Sequence, residues 1–524
     1  MRSSTELARA VLTALVEAGV TEVVISPGSR NAPLSFAAYA AARAGLVRLH
    51  TRIDERSAGF LALGLSKTGS RAAVMCTSGT AVANLHPAVL EAAHAGVPLL
   101  AVTADRPGRL RGTNANQTTD QVGIFGPLVP SHDIIDALPE APGWDGPTHW
   151  NVQLEEPLTP PDAWTPPRIE RRPRPIAVEP AILETLPGGK ATVVVAGDDA
   201  GPPARRLAER AGWPLLAEPS SGSRTGDHAI RTYRLLLGTE LADQIERVIL
   251  FGHPTLSRPV ARLLARDDVE VVAVRGRGVW PTPSHRVDGW LLTSGPRVEA
   301  GDPAWLQAWR DADRSLGRLL DRLLAAEPGL TPQEVAGAVA RALPPGGQLV
   351  VGPSNPIRDL DLMVPRYDVG ARRKVLASRG LAGIDGLVST AIGAALGRDS
   401  TRDLALIGDV TFLHDANGLI LGPDEPRPDL TIVVVNDDGG SIFATLEQGG
   451  APYADDFERL FGTPHRVDLA ALCAATRTPH LRVTSLPELE HALANPNGGI
   501  EVIEATVGRA DRRDLDERIR ALRP

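Results

Sequence analysis

Leu404-Ala405-Leu406-Ile407-Gly408-Asp409 and Thr431-Ile432-Val433-Val434-Val435-Asn436-Asp437-Asp438-Gly439-Gly440 are two apolar runs, each ending abruptly in a polar, glycine-containing turn. Asp437 follows Asp409 by 28 residues, close to the length of one strand–helix–strand unit. Unbroken Leu, Ile and Val runs are what strands covered on both faces require. The pair therefore predicts neighbouring parallel strands, with both polar clusters at the carboxyl ends where α/β sheets bind ligands. Carboxylate and amide oxygens there suit a hard cation such as Mg²⁺, which bridges readily to phosphates. Either cluster alone is also what an ordinary turn supplies.

The same alternation of strand and helix extends outward to both ends of the chain. In the last segment, apolar runs at 348–351 and 500–504 add strands, and Thr331-Pro332-Gln333-Glu334 starts a helix just after Glu327-Pro328-Gly329. The middle segment has three strand-like runs, at 192–196, 248–251 and 269–274. The first segment opens on a capping box, Ser3 to Glu6, and an amphipathic helix that Gly19 stops. Strands follow at 23–26, 72–77 and 98–104. Between the first two segments, residues 139–187 hold 12 of the 45 prolines. That density predicts a linker without helix or central strand. The expected architecture is α/β, with parallel sheets flanked by helices in three domains. They span 1–165, 166–328 (with the proline-rich linker at its start) and 329–524.

Composition narrows the function. With 43% hydrophobic and 23% charged residues, the 524-residue chain is neither disordered nor membrane-embedded. A net charge of −8 and a pI near 5.9 argue against nucleic acid or an anionic membrane surface as partner. Lys67, Lys190 and Lys374 are the only lysines, so anion binding falls almost entirely to arginine. Cys76 and Cys473 make no disulfide framework, Glu6 and Glu17 break up any signal peptide, and the uncharged stretch 72–90 is too polar to span a bilayer. A cytoplasmic enzyme is expected. Arg275-Gly276-Arg277-Gly278 reads as a loop, and no HExxH, GxSxG or nucleotide-binding GxGxxG is present.

The opening pair of clusters resembles the diphosphate-binding signature of thiamine-diphosphate enzymes: Gly-Asp-Gly, about 25 residues, then paired Asn. Val410 stands where a third-position Gly is usual, and Asp437 where the second Asn is usual. The resemblance implies metal ligation by the Asp409 and Asp437 side chains and the Gly439 carbonyl, with Gly408 beside the diphosphate. It also implies a glutamate against the aminopyrimidine ring. Glu55, entering a helix in His50-Thr51-Arg52-Ile53-Asp54-Glu55-Arg56, stands at that place, although acid in a first turn also simply complements a helix dipole. Thr77-Ser78-Gly79-Thr80-Ala81-Val82-Ala83-Asn84 would be the loop approaching the ring.

Further motifs resemble one such family, the 2-succinyl-5-enolpyruvyl-6-hydroxy-3-cyclohexene-1-carboxylate synthases of menaquinone biosynthesis. They are Ile25-Ser26-Pro27-Gly28-Ser29-Arg30-Asn31-Ala32-Pro33-Leu34, Thr103-Ala104-Asp105-Arg106-Pro107 and Asn114-Ala115-Asn116-Gln117 in the first segment. Ser378-Arg379-Gly380-Leu381-Ala382-Gly383-Ile384-Asp385-Gly386 and Gly439-Gly440-Ser441-Ile442-Phe443 carry it in the last. The family implies thiamine diphosphate with Mg²⁺ or Mn²⁺, decarboxylation of 2-oxoglutarate, and addition of the succinyl carbanion to isochorismate. Both substrates are dicarboxylates, which guanidinium groups recognise bidentately.

By that resemblance Arg30, Arg106, Arg358 and Arg379 bind carboxylates, with Arg258 a weaker match in the middle segment. Ser29, Asn116, Gln117 and Ser354 add neutral hydrogen bonds. Glu55, Arg379 and Gln117 form the catalytic set. Thr77, Ser78, Gly79 and Asn84 line the cofactor, Ile384 wedges it into shape, and Ile442, Phe443 and Leu446 wall the site against water. The family also implies a homodimer or homotetramer whose sites pair the Glu55 domain of one subunit with the Asp409 domain of another. Two alternatives remain: a pyruvate-using thiamine-diphosphate enzyme, such as an acetolactate synthase or 2-oxoacid decarboxylase, and a non-catalytic cofactor-binding paralogue. The first has no use for Ser29, Arg30, Arg106, Asn116 and Gln117, and the second has no need of an ionisable Glu55.

Overall fold

The computed structural model describes residues 2–172, 185–278, 285–364 and 366–524. The first sheet contains Glu22–Ile25 (β1), Arg48–Thr51 (β2), Ala72–Cys76 (β3), Leu100–Asp105 (β4), Ser131–Ile134 (β5) and Thr148–Gln153 (β6), ordered β2-β1-β3-β4-β6-β5. Thr185–Leu186 (β7) pairs with a later short strand. The second sheet contains Thr192–Ala196 (β8), Leu215–Ala217 (β9), Arg247–Phe251 (β10), Glu270–Val274 (β11) and Gly289–Leu291 (β12), ordered β12-β11-β10-β8-β9. The partner of β7 is Arg297–Val298 (β13). The third sheet contains Gln348–Val351 (β14), Lys374–Ala377 (β15), Asp403–Gly408 (β16), Leu430–Asn436 (β17), His480–Val483 (β18) and Ile500–Thr506 (β19). Its order is β15-β14-β16-β17-β19-β18.

Among the described residues every strand ladder is parallel, so the expected fold class holds. The central strands are the unbroken apolar runs of the sequence. β8 is Thr-Val-Val-Val-Ala, buried at all five positions because helices cover both faces. By contacts the chain forms two compact units. One gathers the described residues of Met1–Ile176 with Gly380–Asp399 and His414–Pro428; the other gathers those of Ala177–Arg379 with Ser400–Leu413 and Asp429–Pro524. Among the described residues no helix is long and apolar enough to cross a membrane.

Inside the first unit, the helix Glu55–Lys67 crosses the helix Leu387–Gly397 at backbone contact. A Cβ at Gly64 would lie 2.2 Å from the Thr390 carbonyl oxygen, and one at Gly393 would lie 2.2 Å from that of Leu61. Only glycine permits that approach. The crossing fixes the helix whose first residue is Glu55.

The proline-rich stretch needs a correction. Residues 173–184 of it lie outside the described residues. Within the remainder, however, Thr148–Gln153 forms β6, an interior strand between β4 and β5. Pro147 and Pro157 bracket a proline-free window in which every backbone N–H remains free to donate, so the local sequence overrides the average density. The preceding piece is pinned by Arg71, 2% exposed, whose guanidinium donates to the carbonyls of Ala18, Pro142 and Gly143 and lies 4.2 Å from the Trp144 ring.

Candidate active site

β16 and β17 are adjacent and end together, with Gly408 paired to Val435, so their polar clusters meet as expected. Asp409 opens the helix Asp409–His414 and is 2% exposed. Its Oδ1 accepts the Val410 N–H at 2.7 Å; its Oδ2 accepts the Gly439 N–H at 2.9 Å and contacts His465 Nε2 at 3.0 Å. Gly439 has φ +146, and a Cβ there would lie 2.0 Å from the Gly462 carbonyl oxygen, so the close turn requires glycine. The Gly439 carbonyl accepts the Ser441 N–H at 3.1 Å and keeps a second lone pair. Asn436 turns aside to Glu504, donating at 2.7 Å.

Burial raises the Asp409 carboxyl, and burial followed by the Asp409 charge pushes Asp437 up to about 7. A buried and a half-buried carboxylate, one disfavouring the other's ionisation, are suited to share a divalent cation. Among the described residues no group of three or more His, Cys, Asp and Glu could hold a metal, but two carboxylates and a carbonyl suffice for Mg²⁺, which keeps waters and takes phosphate oxygens. The donor set thus fits Mg²⁺. Nothing in the sequence pattern singled out His465, because its contact with Asp409 is purely tertiary.

The same unit holds Arg358 and Arg379. Arg379 is 4% exposed, with Nη2 donating to the Thr255 carbonyl at 2.7 Å and to its hydroxyl at 3.0 Å. Burial, then the charges of Arg379 and Arg234, pushes Arg358 down to about 10. Arg358 donates to the carbonyl of Ser354, which adopts φ +75 at the head of its helix. Guanidiniums that disfavour each other's charge are chemically suited to an anionic partner. Arg258 is placed differently: it pairs with Glu447 at 2.8 Å, both side chains largely exposed. Ile442, Phe443 and Leu446 are half-buried, and the Phe443 and Phe461 rings lie 5.6 Å apart.

In the other unit, the loops after β1, β3 and β4 converge. Ser78 Oγ donates to the Gln117 carbonyl at 2.9 Å, and Gln117 Nε2 returns a bond to the Ser78 carbonyl at 2.8 Å. Arg106 donates to Ser78 Oγ at 3.0 Å and to the Gln117 carbonyl at 3.1 Å. Gly79 adopts φ +80 against Gln117, which is itself left-handed at φ +56. Arg30 donates to the Leu154 carbonyl at 3.1 Å, and burial followed by the charge of Arg106 lowers its pKa. Thr77 packs on Gly28, where a Cβ would lie 2.4 Å from the Thr77 Cβ. Ser29, Asn84 and Asn116 are exposed.

Glu55 is half-buried and its pKa is raised, first by burial and then by Asp54. Burial, then the charge of Glu55, raises the Cys76 thiol at the end of β3. Asp54 caps the helix by accepting the Arg56 N–H at 2.8 Å, leaving Glu55 free of that task. Ile384 is half-buried in a segment whose Gly380 and Leu381 N–H groups are held by Glu91 at 3.0 and 2.7 Å.

Residues 5–124 match the family model described as thiamine pyrophosphate enzyme, N-terminal TPP binding domain. The chain is 70% identical to the 2-succinyl-5-enolpyruvyl-6-hydroxy-3-cyclohexene-1-carboxylate synthase of a Nocardioides species, with 100% of this chain and 98% of the relative covered. It is 47% identical to the synthase of the same name from Kineococcus radiotolerans, covering 99% of each. The Saccharopolyspora erythraea synthase is 43% identical, again over 99% of each.

Proposed function

Because the chain belongs to the 2-succinyl-5-enolpyruvyl-6-hydroxy-3-cyclohexene-1-carboxylate synthase family, a family of thiamine-diphosphate enzymes, we propose that it decarboxylates 2-oxoglutarate and joins the four-carbon remainder to isochorismate in menaquinone biosynthesis. The observation that carries this over a pyruvate-using enzyme is the pair Arg358 and Arg379, a half-buried and a buried guanidinium whose charges act on each other. Pyruvate has no second carboxylate to occupy them; 2-oxoglutarate has one.

Thiamine diphosphate, when bound, supplies a nucleophilic thiazolium carbon and an electron sink. Asp409, Asp437 and the Gly439 carbonyl would hold Mg²⁺, or Mn²⁺ with the same oxygen preference, and Gly408 would flank the diphosphate. Thr77, Ser78, Gly79 and Asn84 would line the ring, with Ile384 shaping it. Glu55, whose pKa is raised by burial, would hold the proton at the aminopyrimidine. Arg358, Arg379 and Ser354 would bind the second carboxylate of 2-oxoglutarate. Arg30 and Arg106, with Ser29, Asn116 and Gln117, would bind isochorismate, and Arg258 would add charge at the rim. Ile442, Phe443 and Leu446 would keep water from the reacting carbon.

The division into 1–165, 166–328 and 329–524 belongs to the same reading, supported by one larger sheet falling in each segment. So do assembly as a homodimer or homotetramer and a cytoplasmic location. Carbon dioxide release from 2-oxoglutarate, compared with 2-oxobutyrate, tests the role of the second carboxylate. A preference of at least about a hundredfold in kcat/KM is expected from losing a buried charge-assisted contact; equal rates would contradict it.

A further inference from the structure

The second sheet reaches the Arg358–Arg379 cluster through a carboxyl group that no motif marks. Glu218 directly follows β9 and is 2% exposed. Its own N–H donates to the Ala196 carbonyl at 2.9 Å, tying it to the end of β8. Its Oε1 accepts the Leu256 N–H at 3.0 Å, while Oε2 has no hydrogen-bond partner.

Leu256 adjoins Thr255, and Thr255 is what holds Arg379. The Thr255 carbonyl accepts Nη2 at 2.7 Å, and its hydroxyl accepts Nη2 at 3.0 Å and Nε at 3.2 Å. The loop carrying both residues leaves β10 through Gly252, with φ +66, where a Cβ would lie 2.3 Å from the Asp198 carbonyl oxygen. Asp198 and His253 then exchange backbone hydrogen bonds of 2.9 Å in both directions. The start of the loop is therefore fixed by backbone, and its far end by Glu218.

We propose that Glu218 is a positioning residue for Arg379: by holding Leu256 it sets Thr255, which in turn orients the guanidinium for a carboxylate of the 2-oxo acid. Burial, partly opposed by the Leu256 N–H and the Arg379 charge, pushes Glu218 up to about 8, and Asp361 and Asp198 add to the rise. Burial thus favours the neutral form, in which the carboxyl still accepts the Leu256 N–H. It fixes the loop without neutralising the cation that the substrate must meet. An ionised carboxylate would compete with the substrate for that charge.

The inference rests on reading Arg379 as a 2-oxoglutarate-binding residue, so Arg379→Ala serves as the control. Steady-state kinetics of the full-length enzyme with both substrates would compare Glu218→Ala, Glu218→Gln and Thr255→Val. Glu218→Ala should raise KM for 2-oxoglutarate about tenfold with KM for isochorismate little changed, as expected when one ground-state contact is misplaced. Glu218→Gln keeps the neutral acceptor and should recover to within about threefold of the parent. Thr255→Val, which removes the hydroxyl but not the carbonyl, should fall between, and remains informative if Glu218→Ala fails to fold. An unchanged KM in both Glu218→Ala and Thr255→Val overturns the inference while Arg379→Ala still raises KM. Parallel rises in both KM values, or no recovery with Gln, overturn it as well. If Arg379→Ala itself leaves KM unchanged, the reading of Arg379 fails and the inference with it.

Discussion

The Gly439 N–H donates to Asp409 Oδ2 at 2.9 Å, stitching the loop after β17 to the end of β16. With Val410 on Oδ1 and His465 on Oδ2, both carboxylate oxygens already act as acceptors. An amide at this position must therefore turn its NH₂ toward an N–H donor. Asp437 differs: an amide is usual there in the resembling signature.

Asp409→Asn should accordingly weaken Mg²⁺-dependent binding of thiamine diphosphate by about a hundredfold or more, from the lost ligand and the opposed donors. Asp437→Asn should stay within about tenfold of the parent, because an oxygen ligand is kept. Titration calorimetry with thiamine diphosphate at fixed Mg²⁺ reads both. Equal losses would show that the two carboxylates are not inequivalent in this way.

Glu55 should be needed for turnover and not for affinity. Glu55→Gln preserves shape and removes the ionisable group, so kcat should fall by at least about a hundredfold, the usual worth of a positioned acid or base. Calorimetric affinity for the cofactor should remain within a few-fold. Undiminished kcat would remove Glu55 from the reaction.

The crossing of Glu55–Lys67 with Leu387–Gly397 depends on the absence of a single methyl group. Gly64→Ala would place Cβ 2.2 Å from the Thr390 carbonyl oxygen, against backbone that cannot turn away. A loss of roughly 2–3 kcal/mol is expected from such overpacking. It should appear as a lower thermal midpoint, with Ala at the open position Gly45 as a non-clashing comparison, although its φ of +70 carries a strain of its own. An unshifted midpoint at Gly64→Ala would mean the helices can part without cost.

His149 gives the stability of the first sheet a pH dependence. It is fully buried between Thr103 Oγ1 at 2.8 Å and Ser131 Oγ at 2.9 Å, and burial pushes its pKa down from 6.5 to about 4. The folded protein thus binds fewer protons than the unfolded chain between those values. Its contribution is complete above about pH 6.5 and is lost as pH falls toward 4, by up to about 3 kcal/mol. Chemical denaturation of the parent and of His149→Gln at pH 7.5 and 5 checks the sign. The difference between them should shrink at the lower pH.

What the sequence disclosed follows physical lines. β8, β14, β16 and β17 were legible because a strand covered on both faces must be an unbroken apolar run, and Gly408-Asp409 and Asn436-Asp437 mark where such runs stop. β6 was hidden because Pro147 and Pro157 dominate the average over a window only six residues wide. β18, His-Leu-Arg-Val at a sheet edge, is half-exposed and carries little apolar signal. The residues on the loops after β1, β3 and β4 stand in recognisable motifs, but the mutual bonds of Ser78, Arg106 and Gln117 arise only from the fold. His465, Glu218 and Thr255 belong to no local pattern at all; each matters through one contact made far along the chain.

This chain is expected to join 2-oxoglutarate to isochorismate. The protein, incubated with thiamine diphosphate, Mg²⁺ and both substrates, should consume isochorismate absorbance with matching release of carbon dioxide and formation of the succinyl adduct. Pyruvate in place of 2-oxoglutarate should give no adduct. Adduct formation from pyruvate at a comparable rate, or no adduct from 2-oxoglutarate by a protein that binds the cofactor, would contradict the account.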